Sequence, residues 1–258
     1  HAELPPMSID QPRFSACFMG TGPAGGSELG SSACVIEESG QPQLLIDCGP
    51  DTLLRYEACY QRLPEALFIT HCHFDHIGGL ETLFYRATFA PEPREIRLFV
   101  PVTLLTTLHH RLAAGVSCLA EWGVNFWDSF RLIPVDTGFW LKHNHYRVFP
   151  ARHHLPDSAF GLALPGQFFY SGDTRPIPEQ LLLHASQGEV ILHDARVTGN
   201  PSHSGLDDLL REYDAAQRGR MVIYHHLPGD EPLFESAGFA VASPFRKITL
   251  GAGHVRQT

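Results

Sequence analysis

Short apolar runs bounded by Gly, Pro and Asp recur from Phe14 to Leu250. Runs this short, rich in Val, Ile, Leu and Phe, predict strands over 13–19, 33–37, 43–46, 66–70, 96–100, 146–149, 160–164, 168–171, 190–192, 221–224 and 247–250. Helical spacing predicts helices over 51–61, 78–87, 101–114, 178–186 and 205–217. In the last of these Leu206, Leu209, Leu210 and Tyr213 share one face, and Ser204 is the expected N-cap. The strands come in runs before helices interrupt them. That order predicts two sheets with helices outside, not a regular alternation of strand and helix. Residues 115–142 hold all three tryptophans, Trp122, Trp127 and Trp140, and admit two readings. They form a hairpin or lid-like insertion packed on the core, or an aromatic wall over a functional site.

Composition narrows the class. Of 258 residues 43% are hydrophobic, enough for a packed core. The longest apolar runs are strand-sized, far below the roughly 20 residues of a membrane span, so no membrane association is expected. Residues 1–12 are polar, carry prolines and lack a signal-peptide pattern. They are expected to be an N-terminal arm on one domain over 13–258, in a cytoplasmic protein. Six scattered cysteines without a C-x-x-C pair predict buried thiols, not disulfides. A net charge of −9 argues against a broad surface for long nucleic acid, which needs clustered cations, and leaves a small-molecule substrate. The unusual count is sixteen histidines, which raises the question of a metal site.

The stretch Phe68-Ile69-Thr70-His71-Cys72-His73-Phe74-Asp75-His76-Ile77-Gly78-Gly79-Leu80 reads as a strand, a turn and a helix start. Three imidazoles and a carboxylate within six residues are costly to bury unpaired. A metal satisfies them together. Alternation at a strand end sends His71 and His73 the same way, towards one ion. The turn brings Asp75 and His76 towards a second. Gly78 and Gly79 let the backbone pass close behind them.

With these residues the sequence resembles the metallo-β-lactamase superfamily, in its ribonuclease Z and PhnP-like phosphodiesterase branch, from about Arg13 to His226. The resemblance implies an α/β fold, an αββα sandwich of two mixed sheets packed face to face with helices outside. It also implies a dinuclear site, with two divalent ions, zinc, manganese or iron. Asp47, in Leu45-Ile46-Asp47-Cys48-Gly49, matches the aspartate that braces such a site. Asp173, in Tyr170-Ser171-Gly172-Asp173-Thr174, matches the bridging ligand. Phe149-Pro150-Ala151-Arg152-His153-His154 supplies the next histidine, either His153 or His154. Ile223-Tyr224-His225-His226 supplies the last, His225 or His226. With the first alternative of each pair, His71, His73 and His153 hold one ion and Asp75, His76 and His225 the other. The segments Leu192-His193-Asp194-Ala195 and Asn200-Pro201-Ser202-His203-Ser204 resemble those that place a proton-donating histidine over the site. By that resemblance His203 is the acid and Asp194 orients it. The Phe18-Met19-Gly20-Thr21-Gly22 stretch and the Gly/Ser-rich loop after it also look like this branch.

What this implies is a hydrolase, foremost a phosphodiesterase on a small or cyclic phosphodiester, using a hydroxide between two ions. The same cage serves a lactone, thioester or other carboxylic ester hydrolase, or a non-hydrolytic cofactor-biosynthesis accessory or metabolite-binding protein. Ribonuclease Z enzymes carry a long tRNA-gripping arm between His153 and Asp173, and the twenty positions there leave no room for it. The PhnP-like group carries an N-terminal cysteine cluster that this sequence lacks. The oligomeric state is left open, a homodimer included.

Overall fold

The computed structural model describes residues 12–92, 94–121 and 123–251. The expected arm, apart from Pro12, lies outside the described residues, as do Trp122 and His254. An antiparallel meander opens the chain: β1 (Phe14–Gly20), β2 (Ala33–Glu38) and β3 (Gln41–Ile46). α1 (Thr52–Tyr60) returns it to β4 (Ala66–Phe68), parallel to β3. α2 (Phe74–Ile77) and α3 (Leu80–Thr88) lead to β5 (Ile96–Pro101). A helical stretch follows, made of α4 (Leu105–Leu108), a π-turn over His109–Ala113 and α5 (Ala114–Val116). The hairpin of β6 (Cys118–Leu119) and β7 (Val124–Asn125) precedes β8 (Phe130–Val135), which is parallel to β5.

A second antiparallel run is β9 (Gly138–Leu141), β10 (Asn144–Pro150), β11 (Phe160–Leu164) and β12 (Phe168–Tyr170). α6 (Pro178–His184), β13 (Val190–Asp194), α7 (Leu206–Glu212), α8 (Ala215–Arg218), β14 (Met221–Tyr224), α9 (Glu231–Ser236) and β15 (Ala240–Val241) continue it with parallel pairing. β16 (Lys247–Thr249) crosses back to β1. The result is two mixed seven-stranded sheets, in the orders β16-β1-β2-β3-β4-β5-β8 and β15-β14-β13-β12-β11-β10-β9.

Strand alternation decides which side chains meet between the sheets. Phe99 of the first sheet stacks on Phe139 of the second at 4.2 Å between ring centres, and Phe18 meets Tyr224 at 5.0 Å. The opposite face of the second sheet presents Phe169, Ile191 and Ile223 to Leu181, Leu209 and Phe234 of α6, α7 and α9. The predicted layering is therefore present.

Local predictions fail where a tertiary partner outbids the local one. The helix expected over 205–217 breaks after Glu212, because Tyr213 is extended (φ −116°, ψ 140°). Its buried hydroxyl accepts the Ile177 N–H at 2.8 Å. Ser204 does not cap α7; it donates to the Thr174 carbonyl, and Asp208 accepts the Gly205 N–H instead. In the tryptophan-bearing segment β6 and β7 form a hairpin, and the Trp127 indole donates to His109. Trp140 is exposed on β9 beside His145. Neither described tryptophan lines the grooves beside the candidate site. All six cysteines are free, but Cys59 and Cys118 are exposed. Among the described residues no helix is long and apolar enough to cross a membrane.

Candidate metal centre

The chemistry-bearing residues follow the ends of strands. Asp47 follows β3, His71 to His76 follow β4, and His153 follows β10. Asp173 follows β12, Asp194 ends β13 and His225 follows β14. Crevices outside the carboxyl ends of parallel strands are where open sheets collect ligands, since backbone and side chains there have no further ladder partners. The two sheets are tied at this edge by the Phe160 N–H, which donates to the Thr70 carbonyl at 2.9 Å. Asp47 and His225 both stand at positive φ, 65° and 66°. That conformation is costly for a non-glycine residue and here turns each side chain in from its strand end. Gly79 is needed for close approach: a Cβ there would lie 2.3 Å from the Gly49 carbonyl.

Two donor sets result. His71, His73 and His153 form one, and Asp75, His76, Asp173 and His225 the other, each with its candidate ligand atoms within 4.8 Å. The His73 Nδ1 lies 3.1 Å from His71 Nε2 and 3.0 Å from His153 Nε2. Asp173 Oδ2 joins the sets. It lies 3.2 Å from the Nε2 atoms of His76 and His225, 3.6 Å from that of His71 and 3.8 Å from that of His153. Asp75 Oδ2 adds 3.1 Å to His76 and 3.7 Å to His225.

Neighbours fix which nitrogen faces inward. His76 Nδ1 donates to Asp47 at 2.7 Å, and His153 Nδ1 donates to the Ser202 carbonyl at 2.9 Å. The Thr70 hydroxyl gives its proton to Asp47 at 2.6 Å, so it accepts from His71 Nδ1 at 3.0 Å. In each case Nε2 is the nitrogen that faces the cluster, the one a metal would take once it is deprotonated. Thr70 and the Ser202 carbonyl were not picked out from the sequence. A threonine beside His71 at a strand end was a signal for the first; a backbone carbonyl leaves none.

Both adjacent pairs separate. His153 is buried in the cluster, whereas His154 is exposed and its Nδ1 meets Ser158 Oγ at 3.2 Å. His225 faces Asp173, whereas His226 turns to Glu231 at 3.2 Å. His203 and Asp194 lie beside the cluster. Asp194 Oδ2 accepts from His203 Nδ1 at 2.7 Å and from the Thr174 N–H at 2.8 Å. The His203 ring is 4.8 Å from His153 and 4.9 Å from His225. His193 points the other way, as alternation along β13 demands, and hydrogen bonds the Tyr213 hydroxyl behind the sheet. His109, His143, His145 and His184 have partners away from the cluster.

Several buried atoms lack hydrogen-bond partners: His76 Nε2, His225 Nε2 and Asp173 Oδ1. Such atoms are costly to bury. Their convergence fits a divalent cation, and the nitrogen and carboxylate donors suit zinc, manganese or iron. Burial pushes the His71 imidazole well down and takes His73 to about 4, so both are neutral near pH 7. Burial acts the same way on His76 and His225, but the carboxylates of Asp173 and Asp47 outweigh it for His76, and those of Asp173 and Asp75 for His225. Both are held above the ordinary histidine value. A metal needs these rings deprotonated, so each proton must leave as an ion binds. Affinity should therefore rise with pH until these rings are neutral without metal. Calorimetric titration with zinc near neutral pH is expected to show a heat that varies with the buffer's ionisation enthalpy; a buffer-independent heat would refute it.

A family model described as Anti-Pycsar protein Apyc1 matches residues 14–242. The chain belongs to this family. Among its curated members, the Anti-Pycsar protein Apyc1 of Bacillus phage 010DV004 is 29% identical over 237 residues, covering 86% of this chain and 92% of the relative. The fold extends further than the Apyc1 family. The metallo-β-lactamase fold protein YhfI from Bacillus subtilis superposes with a TM-score of 0.73 at 11% identity, over 91% of this chain and 98% of its own. A diphosphatase from the PhnP family gives 0.74 at 17% identity, over 93% and 100%. The chain thus has the metallo-β-lactamase fold, shared with a protein of the PhnP family.

Proposed function

We propose that this chain is a metal-dependent phosphodiesterase acting on a small or cyclic phosphodiester. The observation that carries the reading is the pairing of two donor sets, joined through Asp173, with an imidazole beside them oriented by a buried carboxylate. We assign His71, His73 and His153 to one ion, Asp75, His76 and His225 to the other, and Asp173 to both. Ions bound there supply hydroxide at neutral pH and Lewis-acid stabilisation of the phosphoryl group. The protein's own part is then to place the ester and to protonate the leaving oxygen. Asp194 accepts a hydrogen bond from the Nδ1–H of His203, which turns Nε2 towards the cleft, where it would donate its proton. As water oxygen bonds to phosphorus and the old P–O bond breaks, that proton goes to the departing alkoxide. An alkoxide is a poor leaving group, so such an acid lowers the barrier.

The short connection from His153 to Asp173 supports a small substrate, since β11 and β12 occupy it. The PhnP family membership of a structural neighbour agrees with phosphoester chemistry. The test is a substrate panel with protein loaded in turn with Zn, Mn and Fe: cyclic phosphodiesters, bis-p-nitrophenyl phosphate, lactones and thioesters. Cleavage of the phosphodiesters is expected. Turnover of lactones or thioesters alone would replace the reading with a carboxylic ester hydrolase, and metabolite binding without turnover would replace it with a binding protein.

A further inference from the structure

The metal cluster is flanked by two grooves of different character. The groove on the His153 side, about 360 Å³, is lined by Arg152, His154, Arg175 and Glu179. Its two guanidinium groups are held by acids, Arg152 by Glu179 and Arg175 by Asp208. The groove on the Asp75 side, about 450 Å³, runs between Phe74 and the loop that follows β1. Both volumes fall within the roughly 300–1,000 Å³ of small-molecule sites.

Phe74 stands between His73 and Asp75, yet it does not serve the core: it is 58% exposed. One edge of its ring rests on Gly78, where a Cβ would meet ring carbons at 2.9 Å. The facing loop carries little side chain. Gly25 and Gly26 have φ of 95° and 79°, with open space where a Cβ would stand. The Asp51 carboxylate on this side is already engaged: it accepts the Ser31 N–H at 3.1 Å and pairs with Arg55 at 3.1 Å. Among the described residues no Lys or Arg lines this groove. It therefore offers an aromatic face and a bare backbone wall, beside a carboxylate of the metal cluster, and no unpaired charge. The matching occupant is a flat, uncharged ring attached to a phosphodiester.

We propose that this groove is a stacking subsite for a planar ring of the substrate, with Phe74 as its platform. The proposal rests on the phosphodiesterase reading and adds where the ring lies. Stacking on an aromatic side chain tolerates many rings, because each has a π-face, and truncating the platform weakens binding by about tenfold or more.

The test compares two substrates in metal-loaded protein: a 3′,5′-cyclic nucleotide, and the same ribose cyclic phosphate with a methoxy group in place of the base. The readout is the ratio of their kcat/KM values, in which any disturbance of the neighbouring ligands cancels. Phe74→Leu keeps apolar bulk over Gly78 and removes the π-face; it is expected to lower the ratio about tenfold. Phe74→Trp is expected to retain it. An unchanged ratio in Phe74→Leu overturns the subsite. If no phosphodiester is cleaved at all, the phosphodiesterase reading fails on its own. The subsite is then decided by calorimetric titration with a mononucleotide, whose affinity should still fall about tenfold in Phe74→Leu and hold in Phe74→Trp; equal affinity in all three proteins overturns it.

Discussion

Asp173→Asn is expected to lose about 1,000-fold in phosphodiester hydrolysis, about 4 kcal/mol at about 1.36 kcal/mol per tenfold. The same variant should bind fewer ions, as read by elemental analysis after dialysis. The reason is position. Asp173 Oδ2 lies within 3.8 Å of the inward nitrogens of His71, His76, His153 and His225, drawn from both sheets. Burial pushes its carboxyl up, but the imidazoles of His225, His76 and His71 outweigh that and hold it ionised. An amide of the same shape keeps the packing and removes the charge that both donor sets share. Full metal content together with full rate would sink the bridging assignment.

His203→Ala should behave differently. Metal content is expected to stay at the wild-type level while kcat falls by about 10²–10⁴-fold on an alkyl phosphodiester, the usual worth of a positioned general acid. The loss should be much smaller on bis-p-nitrophenyl phosphate, because p-nitrophenolate leaves without a proton. Only the leaving-group dependence distinguishes an acid from a residue that shapes the pocket. It also answers a structural ambiguity, since His203 lies close enough to His153 and Asp173 to complete a donor set of its own. A variant that loses an ion and slows equally on both substrates would make His203 a ligand. A full-rate variant would remove it from the chemistry.

These two residues were legible to different degrees. Resemblance to a branch motif picked out Asp173, in Tyr170-Ser171-Gly172-Asp173 at a strand end, whereas the motif from His71 to His76 is dense enough to read on its own. Such patterns are readable because the ligands share one turn, so spacing alone decides which way they point. His203 depends on Asp194, nine positions away on another element, and on the Thr174 N–H that holds the same carboxylate. Only resemblance reached it. Phe74 carried no signal at all, since an apolar residue inside a motif reads as packing until its exposure is seen.

The sequence by itself determined the strand runs, the layering they require, the resemblance that pointed to the metallo-β-lactamase fold and the local donor motifs, because each is encoded over a few neighbouring residues. The tertiary structure alone decided what depends on distant partners. It brought His153 and His225 into the cluster rather than His154 and His226. Alternation along β13 turned Asp194 to the cleft and His193 to the helices. Tyr213 broke the last long helix in order to reach Ile177. Hydrogen bonds to Asp47, the Thr70 hydroxyl and the Ser202 carbonyl chose which nitrogen of His76, His71 and His153 faces inward. Adjacent histidines are chemically identical along the chain; the fold makes them different, by exposing His154 beside a buried His153 and by turning the buried His226 to Glu231 while His225 faces Asp173.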